Sequence, residues 1–289
     1  MHIHTAIKYL TLFSGEKIFY REAGSLAAPT ILLLHGFPTS SHQFRNLIPL
    51  LSPKYRVIAP DLPGFGFTEV PSSYNYTFDD IATTIETFIK SVPQAPQQYT
   101  IYIFDYGAPT GLRIASKNPT AVSAIITQNG NAYVEGLGPG WELIKRTWEN
   151  DTQENRDAIR PFLEFDATKA QYVNGTTDPN NIAPESYYLD QALMDRPGNK
   201  DIQLDLFVDY KTNVELYPKF HEYFRASQVP LLAVWGKHDV FFLPEGAEAY
   251  KRDLPNAEVI LLEAGHFAGE TNTGQVGEIM LDFLKRIGV

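Results

Sequence analysis

Tyr99-Thr100-Ile101-Tyr102-Ile103-Phe104, followed at once by Asp105-Tyr106-Gly107-Ala108-Pro109, decides how the rest of the chain is read. Six β-branched and aromatic residues in a row predict a buried strand, and the Gly-Ala-Pro behind them predicts a tight turn into a helix. In a parallel sheet such turns lie at the carboxyl ends of the strands, the edge where α/β proteins hold ligands. A side chain at the apex of a strand-to-helix elbow stands clear of its own backbone and reaches a substrate. Here that side chain is a carboxylate, Asp105. An Asp ahead of a helix also caps free N–H groups, but its place directly behind a buried run favours attack by the carboxylate on carbon. The elbow's usual first glycine is Ile103, and no Gly-x-Ser-x-Gly occurs, which speaks against a serine esterase.

Outward from that elbow, strands alternate with helices, which predicts a mostly parallel sheet covered on both faces. Eight strands are predicted, over residues 7–13, 17–22, 30–34, 55–59, 99–104, 122–127, 231–235 and 259–262, with Ser14-Gly15 turning the first hairpin. Phe44, Leu47, Ile48 and Leu51 predict one helix behind the third strand, capped by Ser40 or Ser41. Thr77 and Asp80 predict the capped start of another, with Asp in place of the usual Glu or Gln. Pro244 opens a helix after the seventh strand, and residues 277–287 form the last. Between residues 129 and 227 the rhythm stops, leaving short helical patterns at 141–148 and 202–210. An interruption of that size between two core strands is too long for a loop. It predicts a mostly helical cap subdomain at 129–227 on a core of residues 1–128 and 228–289.

The totals narrow the function. The 289 residues are 44% hydrophobic and 13% aromatic, enough for a large core. A net charge of −10 without a Lys/Arg cluster speaks against nucleic acid as a partner. Without cysteine there is no disulfide, thiolate metal site or thiol nucleophile. No apolar run approaches the ~18 residues of a membrane helix, and the amino-terminal residues do not read as a signal peptide. The expectation is a cytoplasmic protein that takes a small-molecule substrate, with no cofactor, no metal and no membrane or nucleic-acid partner. His2 and His4 share one face of an extended segment, but two ligands near a chain end make a poor metal site.

Five motifs in a fixed order carry a resemblance: His35-Gly36-Phe37-Pro38, Ala59-Pro60-Asp61-Leu62-Pro63-Gly64-Phe65-Gly66, Asp105-Tyr106-Gly107-Ala108-Pro109, Trp235-Gly236-Lys237-His238-Asp239 and Gly265-His266-Phe267. Over residues 8–128 and 228–289 the chain resembles α/β-hydrolases of the epoxide hydrolase and haloalkane dehalogenase branch. The resemblance implies an α/β fold with a mostly parallel eight-stranded sheet, helices on both faces and an inserted, mostly helical cap. It implies Asp105 as nucleophile, His266 as general base and Asp239 as the carboxylate that orients the imidazole, in the chain order of that fold. It also implies an oxyanion hole from the backbone N–H groups of Phe37 and Tyr106, and a substrate pocket that includes His35, Pro38 and Trp148. The Phe37–Pro38 peptide is a candidate for the cis form. His238, beside Asp239, is a weaker candidate base. Some dehalogenases of this branch take their acid after the sixth strand; here Thr127-Gln128-Asn129-Gly130 offers no carboxylate, so Asp239 is preferred.

Such a set predicts a two-stage reaction. An ionised Asp needs no base to attack an sp³ carbon and gives an alkyl ester. His266 then activates water against the ester carbonyl. An epoxide leaves as a basic alkoxide that must be protonated, which cap tyrosines do in epoxide hydrolases, whereas a halide needs only N–H donors. Haloalkane dehalogenases commonly use an Asn in the His-Gly-Asn-Pro loop and a Trp after the nucleophile, where this chain has Phe37 and Tyr106. The arginines that follow the nucleophile in fluoroacetate-type dehalogenases are missing too. Asp-Tyr-Gly-Ala-Pro is similar to the Asp-Trp-Gly-Ala-Pro of epoxide hydrolases, so epoxide opening is favoured and haloalkane dehalogenation is the alternative. Tyr210 is the candidate acid, Tyr188, Tyr187 and Tyr172 are candidates for a second, and Trp148 is a candidate halide donor. A non-catalytic ligand-binding protein on the same fold is a further alternative, disfavoured by the complete Asp/Asp/His set.

Overall fold

The computed structural model describes residues 4–289, so His2 lies outside the described residues. Eight strands form one sheet: β1 (Ala6–Thr11), β2 (Lys17–Ala23), β3 (Thr30–Leu34), β4 (Arg56–Pro60), β5 (Tyr99–Phe104), β6 (Val122–Gln128), β7 (Leu231–Gly236) and β8 (Glu258–Leu262). Their spatial order is β1-β2-β4-β3-β5-β6-β7-β8. β2 runs antiparallel to β1 and β4, and the remaining pairs are parallel. This is the architecture that the resemblance implied.

The inner strands β3, β4 and β5 are buried at every position, as strands covered on both faces must be. Alternation along them divides the interior in two. Leu32, Leu34, Ile101 and Ile103 pack with Ile85 and Phe88 of α2 (Phe78–Ser91) and Leu112 of α3 (Gly107–Lys117). Ile31, Leu33, Tyr102 and Phe104 point the other way, toward Ile48 and Leu51 of α1 (Ile48–Leu51) and Met280 and Phe283 of the carboxyl-terminal helix Thr273–Ile287.

Two local expectations change. The single helix predicted behind β3 is a 3-10 turn, Ser41–Phe44, followed by the one-turn α1. Ser40 is the cap, its hydroxyl accepting the His42 N–H. Pro49 accounts for the break, because it has no N–H to donate and its ring crowds the preceding turn. At the start of α2, Thr77 Oγ1 accepts the Asp80 N–H at 3.1 Å. The shorter Asp80 carboxylate takes the Thr77 hydroxyl at 2.7 Å, not the Thr77 backbone N–H that a full capping box would use.

Between β6 and β7 the chain is helical: α4 (Glu142–Glu149), α5 (Gln153–Ile159), α6 (Phe165–Val173), α7 (Pro184–Met194) and α8 (Asn199–Ser227), with short 3-10 turns. Then come α9 (Pro244–Asp253), α10 (Ala268–Thr271) and α11 (Thr273–Ile287). The helix expected at 202–210 is the first part of α8, which runs 29 residues with Pro218 inside it. Its buried line of Gln203, Phe207, Tyr210, Asn213, Tyr217 and Phe224 keeps helical spacing, but the polar members conceal it from a hydrophobicity pattern. Arg113 of α3 ties α8 to the sheet layer through Asn213 Oδ1 (2.5 Å) and Thr212 Oγ1 (3.1 Å). Arg45 ties α7 down by joining Ser186 (3.0 Å) and Glu270 of α10 (2.5 Å). No described helix is long and apolar enough to cross a membrane.

Candidate active site

The buried strand β5 ends in an elbow whose apex is Asp105, with φ +47°. That left-handed conformation is costly for a residue bearing a Cβ and persists where surrounding structure enforces it. Close backbone approach does so here. A Cβ on Gly107 would stand 2.3 Å from the Leu34 carbonyl oxygen, and one on Gly36 would stand 2.2 Å from Asp105 Oδ1. Gly36→Ala is therefore expected to displace the carboxylate and lower kcat/KM by about 100-fold or more, since catalysis tolerates little misplacement. The check is kcat/KM beside far-UV circular dichroism; full activity in a folded variant would show that the elbow gives way without consequence.

Asp105 is 5% exposed, and its two oxygens differ. Oδ1 accepts the Phe37 N–H at 2.6 Å, and the Tyr106 N–H faces the same carboxylate. Oδ2 stands 4.0 Å from His266 Nε2. The other ring nitrogen of His266, Nδ1, lies 2.7 Å from Asp239 Oδ2. Asp239 is itself held: Phe241 N–H donates to Oδ1 at 2.7 Å and Asn129 Nδ2 to Oδ2 at 2.8 Å. Asn129 also clasps Gly236, donating to its carbonyl and accepting its N–H. A carboxamide thus occupies the position after β6 that offers no carboxylate, and it braces the acid that follows β7.

Burial pushes the Asp105 carboxyl up to about 6, against the pull of the His266 imidazole and of the Phe37 and Tyr106 amides. Burial by itself would lower His266, but the Asp239 charge and hydrogen bond, with the Asp105 charge, outweigh it and raise the imidazole. These groups open into a cavity of about 230 Å³. Its wall is aromatic where Phe37, Trp141, Phe162, Phe207 and Phe241 stand, and Gln171 and Asn174 add polar groups. No Lys or Arg lines it among the described residues. Among the described residues no cluster of His, Cys, Asp or Glu could hold a metal ion.

The structure brings Asp105, His266, Asp239, Phe37 and Tyr106 together and corrects several other assignments. His35, Pro38 and Trp148 do not line the cavity. His35 is fully buried, accepting the Leu62 N–H on Nε2 (2.9 Å) and pairing Nδ1 with the Gly36 carbonyl (3.0 Å). It fastens two loops, and burial lowers its pKa to about 4. Pro38 follows a cis peptide and is buried beneath the loop. Trp148 spends its indole N–H on the Phe207 carbonyl at 2.8 Å, so it offers nothing to a halide. All three tryptophans of the chain do likewise, Trp141 with Phe241 O (3.0 Å) and Trp235 with Phe242 O (2.8 Å). His238 sends Nε2 to Glu263 Oε2 at 2.9 Å, away from Asp105.

Among the tyrosines, Tyr188 is 60% exposed and packs with Tyr187 and Phe165, outside the cavity. Tyr172 is buried but engaged, donating to Asp190 Oδ2 at 2.5 Å and stacking on Phe267. Tyr210 sits behind the wall, its ring 4.2 Å from that of Trp141 and 5.8 Å from that of Tyr106. The Tyr106 hydroxyl has no hydrogen-bond partner among the described residues, whereas the Tyr210 hydroxyl turns to that of Tyr217. Burial foremost pushes both phenols well above their ordinary pKa, with the Asp105 charge adding to Tyr106 and the neighbouring Tyr217, then Asp105, adding to Tyr210, so both stay protonated. Sequence reasoning missed Trp141, Asn129, Gln171 and Asn174. For Asn129 the signal was its position after β6; for the others nothing local marked the face they turn to the cavity.

Comparison with known proteins places the fold. A family model described as alpha/beta hydrolase fold matches residues 29–273. An uncharacterized hydrolase of Saccharomyces cerevisiae, YNR064C, is 46% identical over 268 residues, covering 91% of this chain and 92% of its own. A haloalkane dehalogenase of Bradyrhizobium diazoefficiens is 25% identical over 297 residues, covering 94% and 92%. The crystal structure of the epoxide hydrolase CorEH superposes with a TM-score of 0.76 over 98% of this chain and all of its own (100%), at 20% identity, a likeness of fold.

Proposed function

The chain belongs to the α/β-hydrolase fold family, and from that premise we propose that it hydrolyses epoxides to diols through an alkyl ester of Asp105. One observation carries the reading: Asp105 holds Oδ1 against a backbone amide and leaves Oδ2 toward an imidazole that Asp239 orients. Oδ2 attacks an epoxide carbon, the C–O bond breaks, and a phenol gives its proton to the departing oxygen. Oδ1 becomes the ester carbonyl oxygen, already beside the Phe37 and Tyr106 amides where negative charge collects when water adds. His266 takes one proton of that water and gives it to the alcohol oxygen as the ester collapses, and the other, left on the released Asp105 carboxyl, restores the phenol. Esterification also removes the Asp105 charge, the smallest of the influences that raise His266, and so shifts the imidazole toward the neutral form at the stage that needs a base. Residues 129–227 act as the cap over this site.

The choice of electrophile rests on which donors are available. Every indole N–H is taken by a main-chain carbonyl, and Phe37 stands where a halide-binding amide would be. The phenol of Tyr106, which lines the cavity, lacks a partner, and a buried hydroxyl left unpaired costs about 1–3 kcal/mol. A substrate oxygen at the cavity wall would complete it, with Tyr210 as the second phenol behind. A haloalkane dehalogenase is the second reading, favoured by the carboxamide N–H donors that Gln171 and Asn174 bring to the wall.

Styrene oxide and 1-bromobutane separate the two: diol without bromide release supports the proposal, and bromide release without diol replaces it. Tyr210→Phe is expected to slow ester formation from the epoxide by about 100-fold, the lower range for loss of a general acid, and to leave reaction with a bromoalkane within a few-fold. Stopped-flow measurement of both alkylation rates is the check, and equal slowing would remove Tyr210 as the acid.

A further inference from the structure

Helix α6 turns Ala167, Ala170, Gln171 and Asn174 toward the cavity, the i, i+3, i+4, i+7 spacing of a single helical face. The two alanines leave room, and the next two positions end in carboxamides. Gln171 is 8% exposed. Its helix neighbours Thr168 and Tyr172 are paired with Gln191 and Asp190, whereas the Gln171 carboxamide has no hydrogen-bond partner among the described residues. A carboxamide carries two donors and an acceptor, and those of Gln171 open onto the cavity and are not sealed within protein. A carboxamide left open on a mostly apolar wall therefore offers its hydrogen bonds to what fills the cavity. That occupant is not an anion, because no Lys or Arg lines the wall and Asp105 and Asp239 repel negative charge, and the mostly apolar wall does not repay the desolvation of a cation. It is apolar over most of its length, to suit Phe37, Ile144, Phe162 and Phe207, with one oxygen where Gln171 reaches.

We infer that Gln171 is a specificity residue that selects neutral epoxides carrying an ether or hydroxyl oxygen in their side arm over all-carbon epoxides of the same shape. The inference rests on the epoxide reading above. Butyl glycidyl ether and 1,2-epoxyoctane are the test pair, since one oxygen in place of one methylene is the whole difference. Gln171→Met keeps the length of the side chain and removes the amide, and Gln171→Glu keeps its shape and removes the N–H donors. In each variant the ratio of kcat/KM for the ether to that for the hydrocarbon is expected to fall about tenfold, the worth of one hydrogen bond. An unchanged ratio in both variants overturns the inference. The product diols, 3-butoxypropane-1,2-diol and 1,2-octanediol, provide a readout that needs no turnover. Their relative affinities, followed by tryptophan fluorescence, should shift by a similar factor in the variants. If the wild-type protein opens neither epoxide, the proposed reaction fails while the diol affinities still decide the role of Gln171. A diol ratio indifferent to both substitutions would then overturn that role as well.

Discussion

His266→Gln is expected to stop the reaction halfway, with the ester formed on Asp105 and left there. The first stage needs an ionised Asp105 and a protonated phenol; the imidazole only helps the carboxyl ionise, so incubation at about pH 8, well above the Asp105 value of about 6, lets the stage proceed without it. The second stage needs a base placed behind Oδ2, which His266 Nε2 supplies from 4.0 Å. Gln at this position preserves an N–H for Asp239 and removes only the basic nitrogen. Steady turnover should fall by about 10³- to 10⁴-fold, toward the upper range for general-base catalysis. Intact-mass spectrometry after incubation with styrene oxide should show protein heavier by one substrate, with the addition on the peptide that contains Asp105. Protein that stays unmodified while turnover is lost would contradict an ester intermediate and return His266 to a direct role with water.

The parts of this site that were legible in the sequence are those whose signals are local. Asp105 follows a run that can only be a buried strand, and Gly107 marks a backbone approach that no side chain permits. Asp239 and His266 each stand just beyond a strand end, so their convergence follows once the strand order is known. The inserted helices offered no such anchor. Whether Trp148 can donate to a ligand depends on the Phe207 carbonyl, 59 residues away. Tyr187, Tyr188 and Tyr172 were equal candidates until packing turned Tyr188 to solvent and set Tyr172 against Asp190. The resemblance implied His35 as a pocket residue, yet both ring nitrogens serve the backbone of its own loop and the next. Gln171 was passed over because one amide in an amphipathic segment has no meaning until the helix face it occupies is known.

Asp105→Asn is expected to abolish turnover and, above pH 6, to make the protein more stable. The amide is a poor nucleophile, so kcat/KM should drop by roughly 10⁴-fold or more, as when a catalytic nucleophile is removed elsewhere. The stability gain follows from linkage. Burial raises the Asp105 carboxyl from 3.8 to about 6 in the folded protein, so the folded state holds its proton more tightly than the unfolded chain does. Below pH 4 both states are protonated and the carboxyl exacts no penalty. As pH rises from about 4 to about 6 the unfolded chain ionises first and stability falls, and beyond that the loss is constant. At ~1.4 kcal/mol per pH unit of displacement the loss amounts to about 3 kcal/mol, an upper figure because the unfolded chain retains some structure. Asn has the same outline, accepts the Phe37 N–H and carries no charge, so it escapes this loss. Urea unfolding at pH 4.5 and pH 8 should show the variant gaining most of its advantage between the two, while wild-type kcat/KM declines below pH 6 as the nucleophile protonates. An advantage that does not change with pH would mean that the strained elbow, and not the desolvated charge, is what the protein sustains for the sake of its chemistry.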